Sequence, residues 1–410
     1  MNVLLFGERF GAGDVGIDAA LAAVVRQVRR LSPGASVSVA TDDRALASAL
    51  GVAAVPSYGF SVPARRGFAA AVRRFDAAVW CGGEGLSSHP DVSLDLVARS
   101  QAAGVATFVW CVGMGPSLAS RSLRPSAPLG ALLRLSGLAA ADAERRRMRF
   151  GRRLARVLGG CRGVWVRDDA SREELARCGF AEAKVAGDPL FEIASRDPDG
   201  RRFGREATAC PTLALCLSRP RTGEDAEGAR RFVAALAEAG VRVVGLPFAP
   251  ADEVPLMASL GVAEMLGRTG DVPLPGFPGM GISSRPVPCD SGFCPETSPE
   301  AVAAFAGECD LVLADRLEPL VLAADGGTPC WGIGRDTSVA AWLANLGRAT
   351  EDGADGCDWD DLAARVVARL GARGWREEFE AARDRAYCPF LTGYEFAKHE
   401  FAVALSGVRR

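Results

Sequence analysis

Lysine and histidine are almost missing from this 410-residue chain: Lys184 and Lys398 are the only lysines, His89 and His399 the only histidines. Histidine-rich zinc sites and serine or cysteine nucleophiles paired with a histidine therefore have almost no material, and only His89 falls near an expected strand end. No CxxC pair occurs among the twelve cysteines; Cys289 and Cys294 in "CDSGFC" are the one close pair, far in sequence from either histidine. No metal site and no cofactor are expected. Net charge of one sign is also lacking: the formal value of -2 provides no basic face for nucleic acid. No stretch reaches about 18 uninterrupted apolar residues, the length a membrane-spanning helix needs. The opening "MNVLLFGERFGAGD" has neither the basic start nor the apolar run of a signal peptide. Thiols inside apolar runs, as at Cys81, Cys111, Cys216 and Cys330, fit a reducing cytoplasm, the expected compartment.

Arginine carries nearly all the positive charge. Codon composition accounts for the bias, yet the planar guanidinium also suits carboxylates and phosphates. Hydrophobic residues make up 49% and charged residues 24%, the proportions of an ordinary folded protein, and the length exceeds what one core usually supports.

Short apolar runs alternate with amphipathic segments from the first residue, the pattern of parallel sheets built from βαβ units. "NVLLFG" is the first strand and Val15 to Leu31 the helix after it; "SVSVATD", "AAVWCGG", "VATFVWCVGMG" and "GVWVRDD" follow as further strands. The polar segment Ser195 to Pro211 interrupts the series as a linker, and alternation restarts at "TLALCLS". The expected division is a Rossmann-like domain over 1–200 and a second over 201–375, facing across a cleft. Helices over 376–410 pack back on the first domain. The Pro/Gly-rich insertion 265–299 is expected to hold neither a long helix nor a central strand, and to act as a lid.

In open parallel sheets, ligands bind where strands end and helices begin, because helix N-terminal amides present positive partial charge there. In "GERFGAGDVGID", Gly11, Gly13 and Gly16 match GxGxxG. The loop from the strand is long, however, and the acidic residue expected about 20 positions on is absent, so a dinucleotide fingerprint is not expected. Asp14 reads equally as a helix cap or as a ligand-facing group. In "WCGGEGLSSHPD", Gly82, Gly83 and Gly85 surround Glu84 and let backbone approach a ligand closely. "GVWVRDDASREEL" puts Arg167 and Asp168 at a strand end with Ser171 nearby, either as an anion site or as a surface ion pair. "CLSRPR" brings Arg219 and Arg221 to another strand end. "DLVLADRLEPL" delivers Asp315 and Arg316 to a third, with Glu318 in the first turn of the following helix, where a carboxylate also favours the helix dipole. In "EDGADGCDWDDL", Asp358 is expected to cap a helix starting near Trp359 rather than to bind metal.

Taken in order, "GAGDVGIDAAL", "DAAVWCGGEGL", "GVATFVWCVGMGP", "VWVRDDASREELARCGF", "VAGDPLFE", "VVGLPFAPADE" and "CDLVLADRLEPLVLAADGGTPCWGIG" resemble the polysaccharide pyruvyl transferase family. The resemblance implies a GT-B-like fold and transfer of a pyruvyl group from phosphoenolpyruvate, or another anionic donor, to a sugar or glycan acceptor as a ketal. It implies that Arg167 and Arg316 hold the donor, and the strand-end residues Arg219 and Asp168 are expected beside them. Glu318, Arg316 and Asp14 carry the catalysis, and Gly82, Gly83, Glu84 and Gly85 face the acceptor. One position departs from the pattern: the family reads Arg-Leu-His where this chain reads Arg316, Leu317, Glu318. A charged glutamate there repels an anionic donor; a protonated one, a base toward an acceptor hydroxyl, or a changed substrate would each reconcile it. The same segment is similar to that of GT-B glycosyltransferases in which a glutamate contacts sugar hydroxyls, so a nucleotide-sugar donor or a repurposed family member is the alternative.

Overall fold

The structure, a computed structural model, describes residues 1–7, 9–57, 62–83, 90–114, 139–193, 210–218, 223–266, 272–273, 281–285, 299–334, 337–346, 358–372 and 374–408. The chain divides into two compact units. Met1–Ala12, Ala20–Pro189 and Phe390–Arg410 form the first; Gly13–Ala19 and Leu190–Pro389 form the second. The helix Val15–Leu31 thus has its first turn in the second unit.

The first unit is built on strands β1 (Asn2–Gly7), β2 (Ser36–Ala40), β3 (Ala53–Val55), β4 (Ala77–Cys81), β5 (Ala106–Val112), β6 (Gly163–Val166) and β7 (Lys184–Val185). All neighbours are parallel, in the order β3-β2-β1-β4-β5-β6-β7. This is a doubly wound Rossmann order, with its reversal between β1 and β4. Every residue of β4 is buried, as expected for a central strand covered on both faces. On one face Phe6 and Trp80 pack with Phe68, Leu94, Val97 and Leu154. On the other, Phe401 from the helix Trp375–Ser406 stacks on Trp110 at 4.4 Å between ring centroids and meets Phe108 and Trp165 edge-on. Polar atoms in this layer are matched. Trp110 Nε1 donates to Gln27 Oε1 at 2.7 Å, Gln27 Nε2 donates to Tyr394 Oη, and Glu400 accepts from Trp165 Nε1 and Lys184.

Near its end β5 carries a bulge. Its pairing with β6 shifts between Trp110 and Val112, and Cys111 sits at φ 57°, the one left-handed non-glycine residue among those described.

The second unit repeats the plan with β8 (Thr212–Cys216), β9 (Arg242–Gly245), β10 (Glu264–Leu266), β11 (Val272–Pro273), β12 (Gly281–Arg285), β13 (Leu311–Ala314) and β14 (Cys330–Gly332). Their order is β11-β12-β10-β9-β8-β13-β14, parallel except for the β11–β12 pair. The reversal lies between β8 and β13. Both units are therefore Rossmann-like αβα layers.

One expectation for the Pro/Gly-rich segment is corrected. The proline-free run Gly281–Arg285 forms β12, bonded to β10 on one side and β11 on the other. Proline excludes a central strand only where it removes a ladder donor, and this run has none. Most of the segment lies outside the described residues, and with it the lid; so does almost all of the expected linker Ser195–Pro211. Asp358 caps the helix Trp359–Gly371 as expected, accepting the Asp361 N–H at 3.1 Å, and no metal-binding group occurs among the described residues. Nor, among them, is any helix long and apolar enough to cross a membrane.

The Phe401 ring is fully buried and Phe396, on the same helix, is 64% exposed. Phe401→Ala is expected to lower unfolding free energy in urea by about 3–5 kcal/mol, the usual cost of deleting a buried phenyl ring. Phe396→Ala should stay within about 0.5 kcal/mol of the parent.

Candidate functional site

The chemistry-bearing groups of the second unit gather where its strand order reverses. The buried Asp315 follows β13, and its Oδ1 accepts the Ser218 N–H at 2.8 Å and the Ser218 hydroxyl at 2.9 Å, latching the ends of β8 and β13 together. Arg316 is the extended residue before the helix Leu317–Asp325 and makes no side-chain cap. Its guanidinium is instead filled by carboxylates. Nη2 donates to Asp14 at 2.7 Å, Nη1 to Glu253 at 2.8 Å and Nε to Glu318 at 3.3 Å, with the Phe248 ring 5.7 Å from Cζ.

Each carboxylate is committed differently. Glu253 is 1% exposed and uses its second oxygen to accept the Phe248 N–H at 2.6 Å. The second oxygen of Asp14 caps the helix Val15–Leu31, taking the N–H groups of Gly16 at 3.0 Å and Ile17 at 3.1 Å. Both readings of Asp14 meet here, since the cap residue also faces Arg316. Glu318 holds Arg316 through one oxygen only; the other has no hydrogen-bond partner among the described residues.

One guanidinium among three carboxylates leaves the cluster net negative. Burial pulls the Arg316 pKa down, but the charges of Glu318 and Asp14, with Glu253 behind them, outweigh it and hold the group above its ordinary value. The Cys216 thiol at the end of β8 is pushed up by burial and then by Glu253, so it stays protonated. The sequence assigns Arg316 to a donor anion; in the structure, the guanidinium faces its own acids. A further anion here meets two net negative charges, whereas hydroxyl groups find acceptors in Glu318 and Asp14.

The glycines of "GAGDVG" have separate reasons. A Cβ on Gly16 would lie 2.6 Å from Glu318 Cγ, so only glycine lets the glutamate lie over the helix start. Gly11, at φ +79°, faces Asp43, whose Cβ would be 2.3 Å from an added Cβ. Asp42 and Asp43 stand just after β2, further from Gly16 than the interval a dinucleotide fingerprint counts. Both are engaged: Asp43 caps the helix Arg44–Ala49, and Asp42 accepts the Ser57 N–H at 2.9 Å. The Asp42 pKa is lowered, chiefly by the Ser57 hydroxyl and then by that N–H.

In the first unit, Arg167 follows β6 and is 6% exposed, which excludes the surface ion pair as its explanation. Nε lies 3.3 Å from Asp168 Oδ2 and Nη1 4.0 Å from Asp188 Oδ2. Asp168 also caps the helix Asp169–Arg177, accepting the Ser171 N–H at 2.7 Å and its hydroxyl at 2.6 Å. Gly82 and Gly83 leave β4 at φ 84° and 56°, conformations that favour glycine, and Gly83 O accepts the Gly113 N–H at 2.9 Å. Glu84, Gly85, His89, Arg219 and Arg221 lie outside the described residues.

Sequence reasoning passed over Glu253, Asp188 and Ser218. Glu253 stands in "LPFAPADE", in the first turn of the helix Pro250–Ser259 after β9. The strand-end rule that singled out Arg316 would have found it there. Asp188 follows β7 in "VAGDPLFE" by the same rule.

Known proteins agree with this plan. No curated protein matches the chain. Among solved structures, a UDP-GlcNAc 2-epimerase from Neisseria meningitidis bound to UDP-GlcNAc is similar at 11% identity and TM-score 0.52, over 96% of this chain and 100% of that one. The glycotransferase of kitacinnamycin gives 13% identity and TM-score 0.53, over 98% of each chain. A ugt transferase from Siraitia grosvenorii in complex with UDP gives 11% and 0.51, over 98% and 99%. At such identities the likeness concerns the fold, which is GT-B-like. Residues 15–337 match the family described as polysaccharide pyruvyl transferase. A match spanning most of the chain makes this protein a member of the polysaccharide pyruvyl transferase family, and thus a transferase.

Proposed function

We propose that this transferase attaches a pyruvyl group from phosphoenolpyruvate to a sugar or sugar-like acceptor, and that the Asp14–Arg316–Glu318 cluster receives the acceptor hydroxyl rather than the donor anion. The observation that carries the assignment is the saturation of Arg316 by three carboxylates. Sugar hydroxyls donate well to carboxylates, while a donor carrying a carboxylate and a phosphate would be repelled.

Ketal formation needs the enol carbon of the donor to gain a proton, two acceptor hydroxyls to bond to its central carbon, and phosphate to leave. Of the two hydroxyl protons lost, one is balanced by the new methyl group and the other departs with phosphate. Glu318, with an oxygen still open, is the base for a hydroxyl proton. Arg316 fixes the direction of that carboxylate and of Asp14. The donor's anionic groups are assigned to Arg167, which faces two carboxylates, Asp168 and Asp188, at 3.3 and 4.0 Å where Arg316 faces three, with Arg219 as a further donor contact. Gly82 and Gly83, with Glu84 and Gly85, are assigned to the acceptor.

A second reading has one specific support. A carboxylate in the first turn of the helix Leu317–Asp325 suits ribose or sugar hydroxyls of a nucleotide-sugar donor, and two of the structural relatives carry a uridine nucleotide or its sugar conjugate. Thermal-shift measurements separate the readings. Phosphoenolpyruvate is expected to raise the melting temperature and to release phosphate when a glycan acceptor is present, both effects needing higher donor concentrations in Arg167→Met. A rise with a nucleoside diphosphate and none with phosphoenolpyruvate would establish the second reading instead. Glu318→Gln, which keeps the shape and removes the base, should lower kcat by about 10²–10⁴-fold in steady-state assays, with the melting temperature little changed.

A further inference from the structure

Arg167 is useful to an anion only if its guanidinium is held along one direction, and Asp168 at 3.3 Å and Asp188 at 4.0 Å contribute to that. A nearer constraint comes from Gly113, just past the end of β5. A Cβ built on Gly113 would lie 2.7 Å from Arg167 Nη2, 2.8 Å from Cζ and 3.2 Å from Nε, so the guanidinium rests on bare backbone. The φ of Gly113 is outside the left-handed region, which makes the need for glycine one of space and not of conformation.

The bulge brings Gly113 to this place. The left-handed backbone at Cys111 inserts one residue into β5, after which Val112 pairs with Val166 and the Gly113 N–H reaches Gly83 O. One residue further, the Met114 N–H donates to Ser171 Oγ at 2.9 Å, whose hydroxyl donates to Asp168 Oδ1. The other oxygen of Asp168 holds Arg167 Nε. The turn that offers the bare surface is thus also tied, through Ser171 and Asp168, to the group lying on it.

We infer that Gly113 is a positioning residue for Arg167: its missing side chain is the seat that aims the guanidinium at the donor, and the Cys111 bulge sets the height of that seat. The functional half of this inference rests on the assignment of the donor anion to Arg167. The atoms an added methyl would strike are the far end of a long side chain, so Gly113→Ala should fold normally and move the guanidinium aside.

The test combines kinetics with a direct view of the arginine. In Gly113→Ala, KM for phosphoenolpyruvate is expected to rise about tenfold, a loss of about 1.4 kcal/mol in donor binding. The acceptor KM, kcat and melting temperature should stay near the parent values, and the substitution should add nothing to the donor KM in the Arg167→Met background. In ¹H–¹⁵N spectra, the Nε–H signal of Arg167, assigned by its loss in Arg167→Met, should shift in Gly113→Ala. An unmoved Nε–H signal overturns the seat whatever the kinetics show. A shifted signal with an unchanged donor KM keeps the seat, and overturns the role of Arg167 in donor binding if Arg167→Met leaves that KM unchanged as well. If Arg167→Met raises the donor KM and Gly113→Ala does not, the positioning role is overturned.

Discussion

The ion pairing of Arg316 is the constraint on which the second unit's site depends. A guanidinium at a strand end, 15% exposed, cannot lose its hydration without partners, and three carboxylates supply them. Their spacing then dictates the surroundings. Asp14 must begin a helix, Glu253 must be buried against the turn after β9, and Glu318 must lie over Gly16, where no side chain is tolerated. Removing any one acid would leave the arginine less compensated, and removing the arginine would strand Glu253 in the interior without a counter-charge. What results is a preformed array of oriented acceptors, the kind of surface that selects hydroxyls over anions.

The first unit solves a similar problem with different parts. Arg167 too is buried at a strand end and faces more than one carboxylate, yet its position is governed by backbone: the bulge at Cys111, the bare Gly113 and the Ser171–Asp168 link. Strain at a left-handed cysteine costs on the order of 1–3 kcal/mol, and a fully packed sheet is what sustains it. Trp110 and Trp165, stacked or edge-on against Phe401, pack close to that bulge in sequence and in the sheet. Packing, backbone geometry and charge placement are therefore linked in one chain of cause within that unit.

Much of this was legible in the sequence because it follows from periodicity and from where strands end. "AAVWC" and "TLALC" read as buried parallel strands and are so, and the strand-end rule led to Arg167, Arg316, Glu318 and Asp14. Partnership was not legible. Arg316 and Glu253 are 63 positions apart and Arg316 and Asp14 are 302 apart, so no local pattern could show that the arginine's fork is already occupied. Gly113 escaped for a related reason: its neighbour in space is a guanidinium from the next strand, and glycine in a strand-end turn looks like ordinary turn chemistry. The acidic residues after β2 were hidden by spacing, because the helix Val15–Leu31 and the turn after it carry them beyond the interval a dinucleotide fingerprint would count.

The central claim is that Arg316 is closed to an anionic donor by its own acids, with Glu318 the least committed of them. Isothermal titration of phosphoenolpyruvate into the parent protein and into Glu318→His tests it most directly. Replacing that carboxylate by an imidazole removes a negative charge about 3 Å from the guanidinium, a change worth a few kcal/mol at an effective dielectric of about 20. The account predicts at least about tenfold tighter binding of phosphoenolpyruvate by Glu318→His, a gain of about 1.4 kcal/mol. Equal or weaker binding by the histidine variant would contradict it.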